Sequence, residues 1–334
     1  MTEIKNCPSL LLDGFNTYSP KATKMLFNGV KVNPILNFDI DEFRNADEIA
    51  EAMHRISVSG VQEKFPAIIK SGEIRIAGDD ERSTHILKPA PWDKTLRDRK
   101  FIPANEHLTM QIASQVYGIQ TAANGLCFTS KGQPVYITRR FDILPDSSKL
   151  PIEDFASLVG KNEQTAGLHF KYNGNYEDIA KAIRANVAAW MVDMERFFEL
   201  VVFNYIYANG DAHLKNFSLI LNGQDYRLAP AYDLLNTSLH VNGDDLGLDG
   251  GLSPDIEKSD VFERTGHPCC LDFERFGNKI GLVKRRIDKI LNKYTSLPDD
   301  AIKLIGKSFL SDKAKRNYTR IVNERTTRFI RESK

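Results

Sequence analysis

Residues 205–220 read YIYANGDAHLKNFSLI, which sets Asp211, His213, Lys215 and Asn216 within six consecutive positions between two apolar runs. Asp, Asn and Gly are common in surface turns, so a plain polar turn would account for them. A catalytic loop held between two core elements would account for them equally. The run before the cluster, RFFELVVFNYIYANG (196–210), is interrupted by Glu199 and Asn204. It is too short to span a bilayer and reads as a buried helix. The run after it, FSLILNGQDYRLAP (217–230), reads as a hairpin turning at Asn222-Gly223.

That hairpin returns the chain, so Asp233 in PAYDLL (230–235) can come back beside Asn216. The arrangement suits phosphoryl transfer. One carboxylate, Asp211, faces an attacking hydroxyl, while an amide oxygen, Asn216, and a second carboxylate, Asp233, hold magnesium on nucleotide phosphates. Asn serves as a hard oxygen ligand that adds no negative charge beside the phosphates. Protein kinases use the same five-residue interval between catalytic Asp and metal-binding Asn. Of the residues between, His213 braces the loop or contacts phosphate, and Lys215 is a candidate for neutralising transition-state charge.

The surrounding chain is strand-rich first and helical later. SVSGVQEK (57–64) lies between two strand candidates, and its single glycine sets a loop of Ser59, Gly60, Val61, Gln62 and Lys64 where phosphates could be met. It is neither a Walker A sequence nor a six-residue glycine motif, and a plain β-turn is the competing reading. EIRIAG (73–78) and STHILKP (83–89) read as short strands. Lys88 at the end of the second is a candidate phosphate lysine. A buried lysine there needs a counter-ion, and Glu106 is the nearest candidate; a snorkelling strand-end lysine is the bland alternative. Residues 90–103 read as a loop, NEHLTMQIASQVYG (105–118) as a helix ending at Gly118, and residues 121–142 as two strands around the turn 130–133. PIEDFASLVG (151–160) and NYEDIAKAIRANVAAW (175–190) read as amphipathic helices. Residues 236–268 are Gly/Asp-rich and irregular, and helical patterns return from 271. Residues 1–50 show little periodicity.

Composition bounds the partners. The chain has 334 residues, 42% hydrophobic and 27% charged, with a formal net charge of +1. That is ordinary for a globular chain with a sizeable core, and it favours neither nucleic acid nor membrane. The four cysteines, Cys7, Cys127, Cys269 and Cys270, have no zinc or disulfide spacing, which with the lack of a secretory segment implies reduced thiols in the cytoplasm. NGDDLGLDGG (242–251) lacks EF-hand ligand spacing. The tail from 312 holds eight basic and three acidic residues and reads as a solvated helix face.

The pieces SVSGVQEK, THILKP, NEH, RRFD, DAHLKN and YDLL, in that order over residues 56–236, resemble the HipA-like serine/threonine kinases of bacterial toxin–antitoxin modules. The resemblance implies an α/β, two-lobed kinase-like fold, with a strand-rich lobe over 1–142 and a mainly helical lobe over 143–334. It implies ATP and magnesium as cofactors, Asp211 as base, Asn216 and Asp233 as magnesium ligands, and Lys88 on the ATP phosphates. Arg139 and Phe141 would lie on the hinge that meets adenine, and Ser57 and Ser59 in a loop that family members autophosphorylate. The implied partners are a protein substrate of the aminoacyl-tRNA synthetase class, a helix-turn-helix antitoxin and a small β-rich protein, with DNA reached only through the antitoxin. Only 56 residues precede Ser57, as in the short HipT-type branch. Some short members open with a zinc knuckle; here only Cys7 remains, with Leu10, Ser19 and Ala22 where further ligands would fall, so no zinc is expected. The D-x-H form of the loop suits a small-molecule or lipid kinase as well, and a non-catalytic ATP-binding module is a third reading.

Overall fold

The computed structural model describes residues 4–43 and 62–329. The first element is a helix, α1 (Pro20–Phe27), in the region where the sequence shows little periodicity. Its start is a local signal: the Ser19 hydroxyl accepts from Ala22 N at 3.3 Å and Pro20 takes the first helical position. Strands β1 (Phe65–Lys70), β2 (Glu73–Ile76) and β3 (His85–Lys88) follow, and after the helix α2 (Ile102–Gln115) come β4 (Asn124–Phe128) and β5 (Pro134–Arg139). They form one antiparallel sheet in the order β2-β1-β3-β5-β4.

Period-2 alternation divides this sheet between two cores. Leu87, Cys127, Val135 and Ile137 pack with Cys7, Leu26 and Phe27 of the N-terminal segment. Leu126, Phe128 and Tyr136 pack on the opposite side with Leu108 and Ile112 of α2. Lys88, next to Leu87 and paired in register with Tyr136, therefore faces the α2 side. Helix α2 starts at Ile102, three residues before the expected start, because Pro103 fits its first turn. Twelve of its fourteen residues are buried.

A second antiparallel sheet joins β6 (Ile152–Asp154), β7 (Ser218–Asn222) and β8 (Asp225–Leu228) in that order. The expected helix over 151–160 is thus corrected. Its first residues pair with β7, and only α3 (Phe155–Leu158) is helical, with Asp154 capping Ser157 N. After the one-turn α4 (Glu163–Ala166) comes α5 (Tyr176–Asn186), opened by a reciprocal Asn175–Asp178 capping box. Then α6 (Trp190–Ile206) buries Phe197, Phe198, Phe203 and Tyr205, each contributing about 1.5–3 kcal/mol. It packs against α5 and β8. Asp193 fixes that contact, its carboxylate accepting from Leu228 N at 2.9 Å and from Arg196 Nη1 at 2.6 Å. The hairpin carrying Asn216 and Asp233 at its two ends is thereby docked on the helix that precedes the loop.

Helices α7 (Asp260–Thr265), α8 (Cys270–Lys279), α9 (Lys284–Leu291), α10 (Asp299–Lys307) and α11 (Asp312–Arg328) complete the chain. The result is an α/β fold with a curled antiparallel sheet and a mainly helical second half. Among the described residues no helix is long and apolar enough to cross a membrane.

Candidate active site

Helix α6 stops at Ile206, and the chain turns sharply through Ala208, whose φ is 54°. The buried Asn204 that interrupts the apolar run accepts from Asn209 Nδ2 at 2.9 Å and, through its carbonyl, from Asn209 N at 2.8 Å. Asn209 Nδ2 also donates to the Asp233 carbonyl at 3.3 Å, tying the two ends of the loop–hairpin unit together. A 3₁₀ turn over Leu214–Asn216 then leads into β7. Ala212 and Leu214 are fully buried, so the loop is held by alternate apolar anchors while its polar residues turn towards a cleft. The cleft has a volume of about 1520 Å³ and lies between the first sheet and the helical region.

Three of the expected residues, Lys64, Lys88 and Asn216, meet at Asp233. Lys88 Nζ donates to Glu106 Oε1 at 2.6 Å and to Asp233 Oδ1. Lys64 Nζ donates to Asp233 Oδ2 at 3.2 Å, and Asn216 Nδ2 to the same oxygen at 3.3 Å. Glu106 is therefore the counter-ion of a buried Lys88. Burial would raise the Asp233 carboxyl, but the ammonium groups of Lys64 and Lys88 outweigh it and hold it well below the carboxylate range. Burial likewise opposes the Lys88 charge, and Asp233 and Glu106 reverse that and keep it protonated. Burial dominates at Glu106 and raises its carboxyl. Asp233 sits at φ 56°, a left-handed conformation that Asp tolerates better than most residues.

Asp211 and His213 lie further along the cleft. Asp211 Oδ1 accepts from the Tyr172 hydroxyl at 2.7 Å. His213 is buried, and among the described residues neither ring nitrogen has a hydrogen-bond partner. Burial and the nearby Lys171 charge push its pKa down to about 3, so the imidazole is neutral. Lys215 is half-exposed, 3.7 Å from Asp154 and over the Phe170 ring. Arg139 Nη1 donates to the Met25 carbonyl at 3.3 Å, and Phe141 stacks on Tyr232 with centroids 5.9 Å apart. Gln62 is buried and donates to the Pro89 carbonyl at 3.2 Å. Ser57, Ser59, Gly60 and Val61 lie outside the described residues.

The far wall of the cleft holds residues the sequence does not single out. Segment 244–251 lies directly on the catalytic-type loop: a Cβ on Gly247 would come within 2.4 Å of Ala212 N, and one on Gly210 within 2.4 Å of the Asp244 carbonyl. Tyr176 OH donates to the Ala212 carbonyl at 2.9 Å and accepts from Gly247 N at 3.2 Å. Asp245 anchors the segment from behind, with Arg325 of α11 on one oxygen and His267 Nδ1 at 2.7 Å on the other. The only advance signal was composition: glycine-rich backbone is what such close approach requires.

Known proteins support this reading of the architecture. The profile of the HipA-like C-terminal domain family matches residues 56–301. The chain is 27% identical over 235 residues to a Haemophilus influenzae protein named "Putative kinase", covering 68% of this chain and 65% of that one. It is 28% identical over 193 residues to "Putative kinase Y4mE" of Sinorhizobium fredii, covering 55% and 43%. The match thus spans about half to two thirds of these relatives' own length. Among solved structures it superposes on a chain of the Shewanella oneidensis MR-1 toxin–antitoxin complex of HipA, HipB and operator DNA. That superposition has a TM-score of 0.63 at 19% identity and covers 82% of this chain and 65% of that one, a likeness of fold. The chain belongs to the HipA-like C-terminal domain family.

Proposed function

We propose that this member of the HipA-like family is an ATP-dependent serine/threonine protein kinase. The reading rests on one observation: a single cleft gathers a buried lysine with its glutamate, a carboxylate and an amide at the two ends of one hairpin, and a second carboxylate on the loop before it. We take the two lobes to meet near residue 142, with Phe141 and Tyr232 forming an aromatic wall for adenine beside the 139–141 hinge. Lys88, oriented by Glu106, binds ATP phosphate, and Lys64 brings a second ammonium group to the same site.

Asn216 and Asp233 fit a magnesium ion. Asp233 concentrates enough negative charge to draw two ammonium groups, and Asn216, whose Nδ2 donates to Asp233 and whose Oδ1 accepts from His213 N at 3.2 Å, would offer a neutral oxygen. Magnesium takes one or two protein oxygens and completes its shell with phosphate and water, so a larger acidic cluster is not needed. When bound, the ion supplies charge neutralisation at the phosphates. Asp211 accepts the proton of the acceptor hydroxyl as its oxygen bonds to the γ-phosphorus and the bond to the bridging oxygen breaks, releasing ADP. Lys215 neutralises developing charge, and the neutral His213 braces the loop.

By family likeness we propose a toxin of a toxin–antitoxin module acting in the cytoplasm. It would be restrained by a helix-turn-helix antitoxin with a small β-rich protein and directed at an aminoacyl-tRNA synthetase. Ser57 or Ser59 would be autophosphorylated. The protein acceptor is proposed from family likeness, and the cleft, about 1520 Å³, has room for an acceptor beside a nucleotide. Incubation with γ-labelled ATP, magnesium and cell lysate tests this. The expected result is label in a protein band and on Ser57 or Ser59, transferred about 10²–10⁴-fold more slowly with Asp211→Asn. Label confined to lipids or small molecules would shift the assignment to those acceptors, and no transfer at all would leave a non-catalytic nucleotide-binding module.

A further inference from the structure

Segment 168–174 has no motif and no regular structure, yet it touches both halves of the acceptor end of the cleft. Its backbone is stitched on one side to the loop that carries Asp211, through Leu214 N to the Lys171 carbonyl at 3.0 Å. On the other side it is stitched to the glycine-rich wall, through Asp249 N to the Tyr172 carbonyl at 3.0 Å and Gly250 N to the Gly174 carbonyl at 2.8 Å. Lys161 Nζ donates to the Asn173 carbonyl and closes the turn. Gly174 sits at φ 145°, and a Cβ on Gly250 would come within 2.8 Å of the Gly174 carbonyl, so a larger residue at either place would push the segment away. The hydroxyl delivered by this scaffold is that of Tyr172, 2.7 Å from Asp211 Oδ1. Its ring is fixed on two sides, edge-on to His213 with centroids 5.2 Å apart and beneath Lys171 Nζ at 4.9 Å.

We propose that Tyr172 is a positioning residue for the transfer step. By holding Asp211 Oδ1 it sets the rotation of the carboxylate and turns the group towards the acceptor hydroxyl. A carboxylate on a short side chain has a broad terminal torsion, and each rotation away from the acceptor lowers the fraction of complexes ready to react. A phenol suits the task. It donates one charge-assisted hydrogen bond and remains neutral, so it orients the base without carrying a charge that would compete for the phosphates. The proposal rests on the kinase reading above and adds a residue to it.

The test is a double-mutant cycle on the full chain, read by single-turnover transfer from γ-labelled ATP with magnesium. Tyr172→Phe removes one oxygen from a half-buried ring and keeps the packing on His213. It should lower the transfer rate about tenfold or more, the magnitude of a hydrogen bond to a charged group, with the dissociation constant for ATP unchanged. In an Asp211→Asn background the same change should cost less than twofold, because the group it acts through is gone. A merely structural role would lower the rate by the same factor in both backgrounds, or weaken ATP binding in step, and either result overturns the proposal. So does wild-type transfer by Tyr172→Phe. Absence of transfer by the wild-type chain would instead overturn the kinase reading itself.

Discussion

Asp233 and His213 occupy the same cleft and are both displaced from their ordinary protonation behaviour, but by opposite means. Asp233 is surrounded by donors: two lysine ammonium groups and a neutral amide converge on it, and it stays charged despite burial. His213 has no hydrogen-bond partner at either ring nitrogen among the described residues and stays uncharged because of burial. The strand side of the cleft is thus held together by ion pairs. The loop side is held by apolar anchors and backbone contacts, with Ala212 and Leu214 buried and Gly247 against Ala212. The first kind of wall fails when a charge is removed, the second when volume is added.

The largest effect should follow from breaking the ionic wall. Lys88→Met leaves Glu106 and Asp233 as neighbouring buried carboxylates without their shared cation. It should cost about 3–5 kcal/mol of stability and abolish transfer, as read by denaturant unfolding and labelled-ATP assay. Unchanged stability would show that Lys64 can take over the pairing. Asp211→Asn separates chemistry from architecture: transfer should fall about 10²–10⁴-fold with the unfolding midpoint within a degree or two of wild type. Gly247→Ala tests the packed wall. Its added methyl must displace Ala212, so a stability loss of about 1–3 kcal/mol and slower transfer are expected, with ATP affinity retained. Normal turnover in that variant would mean the segment yields freely.

The smallest effect separates the two groups by pH. His213 is depressed to about 3 in the folded chain against about 6.5 when unfolded. The unfolded chain binds the extra proton between these values, so stability is full above about 6.5 and is lost as pH falls through that window. Asp233 acts lower: its stabilisation is present above about 4, the unfolded value, and is lost as pH falls towards its depressed folded value. His85, His107 and His240, each held near 4 by burial, add to the upper window. His213→Gln should flatten the slope of unfolding free energy between pH 4 and 6 by at most about 1.4 kcal/mol per pH unit. Parallel curves for mutant and wild type would show that the imidazole is protonated in the native protein.

The ionic wall was the legible half. Lys88 ends an apolar strand and Glu106 opens a helix, and a buried lysine demands a partner, so chemistry alone joined two distant positions. The return of the hairpin between Asn216 and Asp233 was legible, but its turn falls one residue later than expected: Asn222 pairs with Asp225, and Gly223, at φ 69°, and Gln224 form the two-residue loop. Tyr172 was not, since an irregular segment has no period and the contact depends on three backbone hydrogen bonds to places far along the chain. The strand at 152–154 was hidden for a different reason. Three residues are too few to show alternation, and Asp154 is a genuine helix cap for the turn that follows. Helix α1 was not read from the sequence: its eight residues form only two turns, too short a stretch for periodicity to speak, and its start signal at Ser19-Pro20 went unused.

The grip of Arg325 and His267 on Asp245 has a consequence in the order of synthesis. A ribosome delivers Asp211, Asn216 and Asp233 well before it delivers α11, and a domain folds as a unit. Until Arg325 leaves the exit tunnel, the carboxylate of Asp245 lacks its buried cation and the glycine wall lacks its rear anchor. The glycine-rich wall therefore gains this anchor only once α11 is available, later than the loop and hairpin it packs against.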